Sequence, residues 1–254
     1  PTAPKIRTTE PASWSILIFS ICIKSPSSKT LSLLILILLY IDIINMPLLL
    51  ELFKGTGSAG KAFKGKVISV DNEEKYNPDI LTDILKWDYK KIDTPDFIWA
   101  SPPCSSFTNM ALTKDKTHRV APRVRNVDTM KPLAKSAVIG DKILNKTIEI
   151  IRYFKRLNPR LRWVIENPHG SMWRSPYMKK LPKYHRELTY YCLYKDKRKK
   201  PTDFFSNVKL NLKKGSCRAK VDISAIPLCK RYMIPQPLLK DIFKQISKTN
   251  ALLV

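Results

Sequence analysis

The sequence predicts an α/β fold: a doubly wound, mostly parallel sheet with helices on both faces. Three observations predict it. Four runs, Leu48 to Phe53, Lys66 to Val70, Phe97 to Ala100 and Leu161 to Ile165, have strand length and are dominated by apolar residues, as strands covered on both faces require. Each run stops at turn-forming or polar residues. Between the third and fourth, Lys135 to Leu157 repeats apolar residues at helical spacing, with Ile143, Leu144, Ile148, Ile150, Ile151 and Phe154 on one wide face. Asn158-Pro159 ends that helix.

The first 45 residues do not read as a domain. A Ser/Pro/Thr-rich stretch leads into LSLLILILLYIDII, whose charge-free part, Leu31 to Ile41, is 11 residues, short of the ~20 a spanning helix needs. Met46 directly precedes the first strand, so residues 1–45 are expected to be a non-domain leader or upstream sequence, with the folded domain at 46–254.

The first strand runs into Gly55-Thr56-Gly57 and a small-residue stretch to Gly60. Glycines there allow a tight turn and close approach to a ligand. The second strand ends at Asp71, 20 residues after Glu51, where nucleotide-type ligands have their ribose hydroxyls held. No Gly-Lys-Ser/Thr ending is present, so this is not an ATPase phosphate loop. The third strand stops at Pro102-Pro103, with Cys104 directly after. Each proline fixes its own φ and interrupts a sheet ladder, so the thiol stands at a stiff corner off a strand end. The fourth strand delivers Glu166-Asn167-Pro168 to the same edge.

With these segments together, the chain resembles the cytosine-5 DNA methyltransferases, of the short kind found in phages and large DNA viruses. ELFKGTGSAG resembles their first cofactor motif, SPPC their Pro-Cys nucleophile motif, and ENP their Glu-Asn motif; the likeness runs from about Met46 to about Phe243. It implies a Rossmann-like, S-adenosylmethionine-dependent methyltransferase sheet. Cys104 would be the nucleophile, Glu166 the acid beside the base, and Asn167 a residue positioning base or loop. Phe53 would pack on the adenine of S-adenosyl-L-methionine, Gly55 and Gly57 would approach its methionine part, Asp71 would hold its ribose, Asp83 would face the adenine amine, and Pro103 would line the site. RYMIPQPLLKDIF, Arg231 to Phe243, resembles the family's final helix, which returns to the cofactor site. The duplex would have to release the target base from its stack.

Three departures stand out. Ser105 follows the cysteine where the family carries Gln or Thr. The downstream basic motif is KDKRKKPTDFFSN, with Arg198, Lys199 and Lys200 keeping the charge but Asp203 at the place of the last arginine. Between Asn207 and the final motif only residues 208–230 remain, a minimal target-recognition region.

Charge agrees with a nucleic-acid partner. The 254 residues carry 46 Lys+Arg against 21 acids, a net +25. Only Lys5, Arg7, Lys24, Lys29, Glu10 and Asp42 fall in the leader, so the excess belongs to the domain. Such a surface attracts phosphates and gives salt-sensitive binding. The segment after Cys104, with Arg119, Arg123 and Arg125, and the run Arg198 to Lys200 are the expected contacts with duplex DNA, RNA being the alternative. The five cysteines show no metal spacing with the three histidines, so a reducing, intracellular compartment and no metal are expected. No stable protein partner is implied. Rival functions are a tRNA cytosine-5 methyltransferase, an amino-methyltransferase on adenine N6 or cytosine N4, and a catalytically decayed DNA-binding relative.

Overall fold

A computed structural model of the protein describes residues 46–114, 124–218, 221 and 225–251. The expected leader, Arg119 and Arg123 lie outside the described residues. Contacts set Pro47–Val254 apart as one compact unit.

That unit is built on a seven-stranded sheet. In chain order the strands are β1 (Leu48–Leu52), β2 (Lys66–Asp71), β3 (Ile80–Leu81), β4 (Phe97–Ala100), β7 (Arg162–Pro168), β8 (His185–Tyr190) and β9 (Pro201–Ser206), while β5 (Leu112–Thr113) and β6 (Arg125–Asn126) form a separate pair. The sheet order is β3-β2-β1-β4-β7-β9-β8. β3, β2, β1, β4 and β7 pair in parallel, whereas β9 is antiparallel to both β7 and β8. The order reverses beside β1, between its connections to β2 and β4, which is where doubly wound sheets open a crevice at their strand ends. The expected α/β, Rossmann-like doubly wound sheet is therefore present.

Among the described residues four α-helices accompany it: α1 (Ser58–Ala62), α2 (Lys135–Leu157), α3 (Leu228–Arg231) and α4 (Gln236–Ala251). α2 has the limits expected from its pattern. It covers one face, where Leu144, Ile148, Ile151 and Phe154 pack with Leu50, Leu52, Ile98, Trp163, Ile165 and Phe205. The opposite face packs Leu49, Trp99, Val164 and Phe204 against Leu238, Leu239, Ile242 and Ile246 of α4. Each such side chain stabilises the fold by about 1.5–3 kcal/mol on burial. α2 ends because Pro159 cannot continue it, and Asn158 caps the stop: its Nδ2 donates to the Pro95 carbonyl (3.1 Å) and its Oδ1 accepts from the Arg160 amide (2.9 Å).

Two expectations change, one about a strand and one about the cysteines. β7 does not stop at Ile165. Its pairing with β9 carries it on, with Asn167 opposite Asp203 and Pro168 opposite Thr202, so Glu166 is held inside a ladder rather than on a loop. The cysteines, expected in a reducing compartment, include one disulfide: Cys192 and Cys217, with Cα atoms 6.2 Å apart, are joined. That bond and the Thr189 Oγ1 bond to the Lys213 carbonyl (2.7 Å) fasten the start of the segment after β9 to the sheet edge. Among the described residues no helix is long and apolar enough to cross a membrane, and no group of three His, Cys, Asp or Glu side chains is placed to hold a metal ion.

Candidate active site

The strand ends enclose a cleft of about 310 Å³. Its first wall is the turn after β1. Phe53 has φ +59° and Gly55 φ +49°, both left-handed, a conformation that costs a bulky residue energy and that a glycine takes freely. Asp71, at the tip of β2, fixes this turn: its Oδ2 accepts the Gly55 amide (2.8 Å) and its Oδ1 the Glu73 amide (3.0 Å). Beneath lies Glu51, 3% exposed, whose Oε1 accepts the Ala59 amide (3.1 Å). Burial pushes the Glu51 carboxyl up to about 7, against the lowering effect of the Gly60 and Ala59 amides and of Lys54 and Lys61. A Cβ at Gly60 would lie 2.7 Å from Glu51 Oε2, so only glycine lets the helix start approach this carboxylate.

The second wall is the Pro-Pro-Cys corner. The Ser101 amide bonds the Leu52 carbonyl (3.3 Å), and Asn167 Nδ2 donates to the Pro102 carbonyl (3.1 Å). The Phe107 and Thr108 amides close on the Cys104 carbonyl at 2.9 and 3.2 Å. The free thiol of Cys104 is thus half-buried on a corner braced from three sides. Burial pushes its pKa up, the Glu166 charge adds to that, and Lys200 opposes it. Glu166, 6% exposed, lines the same cleft and accepts a hydrogen bond from the buried Tyr191 hydroxyl (3.1 Å).

The C-terminal segment closes the cleft with Tyr232 and Ile234. The Ile234 amide bonds Ser58 Oγ (3.2 Å), and Gln236 Nε2 bonds the Ser58 carbonyl (2.9 Å). The expected return of the final helix region to this site is what these contacts do.

Phe53, Gly55, Asp71, Pro103, Cys104, Glu166 and Lys200 come together around the cleft. Four other residues do not take their expected places. Gly57 does not line the cleft; it sits at φ +66° as the residue before α1, its amide on the Lys54 carbonyl (2.8 Å). Asp83 is exposed away from the cleft, its Oδ1 turned onto the Leu85 amide (2.9 Å). Arg125, expected on DNA, is 0% exposed. Its guanidinium grips Asp141 (2.8 and 3.2 Å) and the carbonyls of Ser106 (3.0 Å), Met130 (2.8 Å) and Ala137 (3.3 Å), which ties the segment after Cys104 to α2. Arg198 is 6% exposed, paired with Asp196 and bonded to the carbonyls of Lys230 (2.7 Å), Arg231 (3.0 Å) and Met233 (2.8 Å). Both arginines are structural clasps with no donor left for a phosphate. Lys199 remains exposed over Tyr190, and Lys200 stands over the Tyr191 ring at 5.1 Å. Asn167 braces the corner rather than opening into the cleft. Asp203, which replaces the family's arginine, is 2% exposed and held by Arg186 (2.9 and 3.1 Å) and His169 (3.2 Å).

Sequence reasoning missed Tyr191, Glu51, Tyr76 and Tyr232 as cleft or support residues. One tyrosine among the three of Tyr190 to Tyr194 carries no signature of its own, and only the fold brings Tyr191 under Glu166.

The chain is similar to a viral cytosine-5 methyltransferase. That relative is the "Probable DNA (cytosine-5)-methyltransferase" of Frog virus 3 (isolate Goorha), 31% identical over 157 residues, which cover 58% of this chain and 64% of the viral protein. The chain thus spans just under two thirds of the length of the curated relative it matches. No protein-family model matches it. Among solved structures it is similar to the Dnmt2 methyltransferase of S. pombe, at 15% identity and TM-score 0.43 over 65% of this chain and 53% of that one. It is also similar to the Entamoeba histolytica methyltransferase EhMeth, at 14% identity and TM-score 0.39 over 72% of this chain and 63% of that one.

Proposed function

We propose that the protein transfers a methyl group from S-adenosyl-L-methionine to carbon 5 of cytosine in DNA, through a covalent adduct on Cys104. The observation that carries this reading is the shared cleft. A braced thiol, a buried carboxyl and a glycine turn backed by strand-tip acids open into one space. The viral relative's name and the likeness of three motifs support it.

The residues fit the cofactor. Asp71 and Glu73 stand at the β2 tip where ribose hydroxyls are held, and Phe53 and Tyr76 offer flat apolar surfaces. Glu51, whose carboxyl ionises near neutral pH under the turn, suits a ligand carrying positive charge. When bound, the cofactor supplies an electrophilic methyl group.

The chain's own residues do the rest. Cys104 loses its proton and its sulfur bonds to carbon 6 of the flipped cytosine, which breaks the ring's aromaticity and moves an electron pair toward carbon 5. Glu166 holds ring nitrogen 3 and stabilises the adduct, itself held in place by Tyr191. Carbon 5 takes the methyl group, which leaves S-adenosylhomocysteine; it then gives up its proton to solvent, and the electron pair left behind expels the Cys104 sulfur as the thiolate. Pro103 and the Asn167 brace keep the thiol on the rim between base and cofactor. Lys200 favours the thiolate.

Incubation of the chain with labelled S-adenosylmethionine and, separately, duplex DNA and tRNA, followed by digestion, tests the reading. Label in 5-methylcytosine from DNA is expected. Label only in tRNA would move the substrate, and label in N6-methyladenine or N4-methylcytosine would overturn the chemistry.

A further inference from the structure

Arg198 fixes the backbone on both sides of Tyr232. Its Nη1 donates to the carbonyls of Lys230 (2.7 Å) and Arg231 (3.0 Å), and its Nη2 to that of Met233 (2.8 Å). Lys200 Nζ stands 3.5 Å from the same Arg231 carbonyl. On the far side, the Ile234 amide is tied to Ser58 Oγ (3.2 Å), which belongs to the first wall of the cleft. Tyr232 sits between these ties and lines the cleft with Cys104. A backbone held this way presents its side chain from one fixed place, as a reactive site requires of the groups around it.

The Tyr232 side chain is available. It is half exposed, and its hydroxyl makes no hydrogen bond among the described residues. Its phenol is pushed up, first by burial and then by Cys104 and Tyr76, with Glu73 adding and Arg231 opposing. Those neighbours come from both walls: Cys104 from the Pro-Pro-Cys corner, Tyr76 and Glu73 from beyond the β2 tip. At pH 7 the hydroxyl is therefore a neutral donor that has the thiol among its neighbours. Cys104 needs one. Burial and the Glu166 charge hold its sulfur in the protonated form, with Lys200 and its own backbone amide opposing. The thiolate is the nucleophilic form, and a donor aimed at sulfur favours it.

We infer that Tyr232 is a catalytic residue whose hydroxyl donates a hydrogen bond to the Cys104 sulfur as the thiol ionises. The thiol proton leaves to solvent, and the phenol keeps its own. Rotation about two side-chain torsions brings the hydroxyl onto the sulfur while the tied backbone stays in place. That this thiolate attacks cytosine rests on the proposed function. That Tyr232 stabilises it rests on the cleft alone.

The test is alkylation of Cys104 by iodoacetamide against pH, read by mass spectrometry on the full chain, for wild type, Tyr232→Phe and Tyr232→Ala. The midpoint of the profile reports thiolate stability, and the plateau at high pH reports access to the sulfur. Tyr232→Phe keeps the ring, so its plateau should match wild type while its midpoint rises by about one pH unit, as loss of a hydrogen bond to a charged group requires. Tyr232→Ala should show the same rise with a higher plateau. Single-turnover methyl transfer by Tyr232→Phe should be about tenfold slower at pH 7 and approach wild type as the pH is raised. An unchanged midpoint in Tyr232→Phe, or a rise seen only in Tyr232→Ala, would make Tyr232 an apolar cover and overturn the inference. A wild-type rate of transfer at pH 7 despite a raised midpoint would overturn its catalytic role. Absence of methyl transfer by wild type to duplex DNA and to tRNA, with the midpoint still raised in Tyr232→Phe, would count against the proposed function and leave the contact with Cys104 standing.

Discussion

The hydroxyl of Tyr191 donates to Glu166 Oε1 at 3.1 Å, and both groups are buried. Burial pushes the Tyr191 phenol well above its ordinary value, so it stays protonated and remains a donor throughout the working pH range. Glu166 is therefore oriented from beneath, inside the β7 ladder, with its other side toward the cleft.

Tyr191→Phe keeps the packed ring and removes only this donor. Methyl transfer is expected to slow about tenfold, which corresponds to about 1.4 kcal/mol of transition-state stabilisation. Single-turnover kinetics, with cofactor binding measured alongside, check this. Reduced cofactor affinity at unchanged rate would place Tyr191 in the fold rather than behind the catalytic acid.

The Cys104 thiol is pushed up by burial and by the Glu166 charge, and lowered by Lys200. The protonated, neutral form therefore dominates at pH 7, and reactivity should rise with pH into the alkaline range. Alkylation by iodoacetamide, followed by mass spectrometry against pH, reads this directly. Lys200→Ala should move the curve to higher pH and Glu166→Gln to lower pH. A curve that Lys200→Ala leaves in place would remove that lysine from the thiol's surroundings.

Asp71 links the β2 tip to the glycine turn through two amide bonds. Asp71→Ala should weaken S-adenosylmethionine binding about tenfold or more by calorimetry, since a lost buried acceptor costs about 1–3 kcal/mol. Unchanged affinity would leave Glu73 as the ribose contact.

The Arg125–Asp141 pair holds the segment after Cys104 onto α2. Arg125→Met leaves Asp141 buried without its partner and should cost about 3–5 kcal/mol in urea unfolding, whereas Arg125→Met/Asp141→Leu should recover part of it. Equal losses in the single and double variants would mean that the backbone carbonyls, rather than Asp141, need the guanidinium.

The chemistry-bearing corner was legible because its signals are local. Two prolines before Cys104, glycines after a strand and the apolar period of α2 each act within a few residues. What was not legible depends on partners far along the chain. Arg125 looks like any loop arginine until α2 delivers Asp141, 16 residues on, and Arg198 until carbonyls 32 to 35 residues away arrive. In a chain this basic, charge alone does not separate an arginine facing solvent from one holding the fold. The extension of β7 past Ile165 was hidden likewise, because it is set by pairing with β9.

The most direct measurement is covalent trapping. An oligonucleotide with 5-fluorocytosine at the target lacks the carbon 5 proton whose removal frees the enzyme. With S-adenosylmethionine present, a protein–DNA species stable on a denaturing gel is expected, mapped to Cys104 by mass spectrometry. Cys104→Ala should abolish both this species and methyl transfer, while nucleic-acid binding persists. Full methylation of cytosine by the Cys104→Ala protein would contradict the covalent mechanism outright.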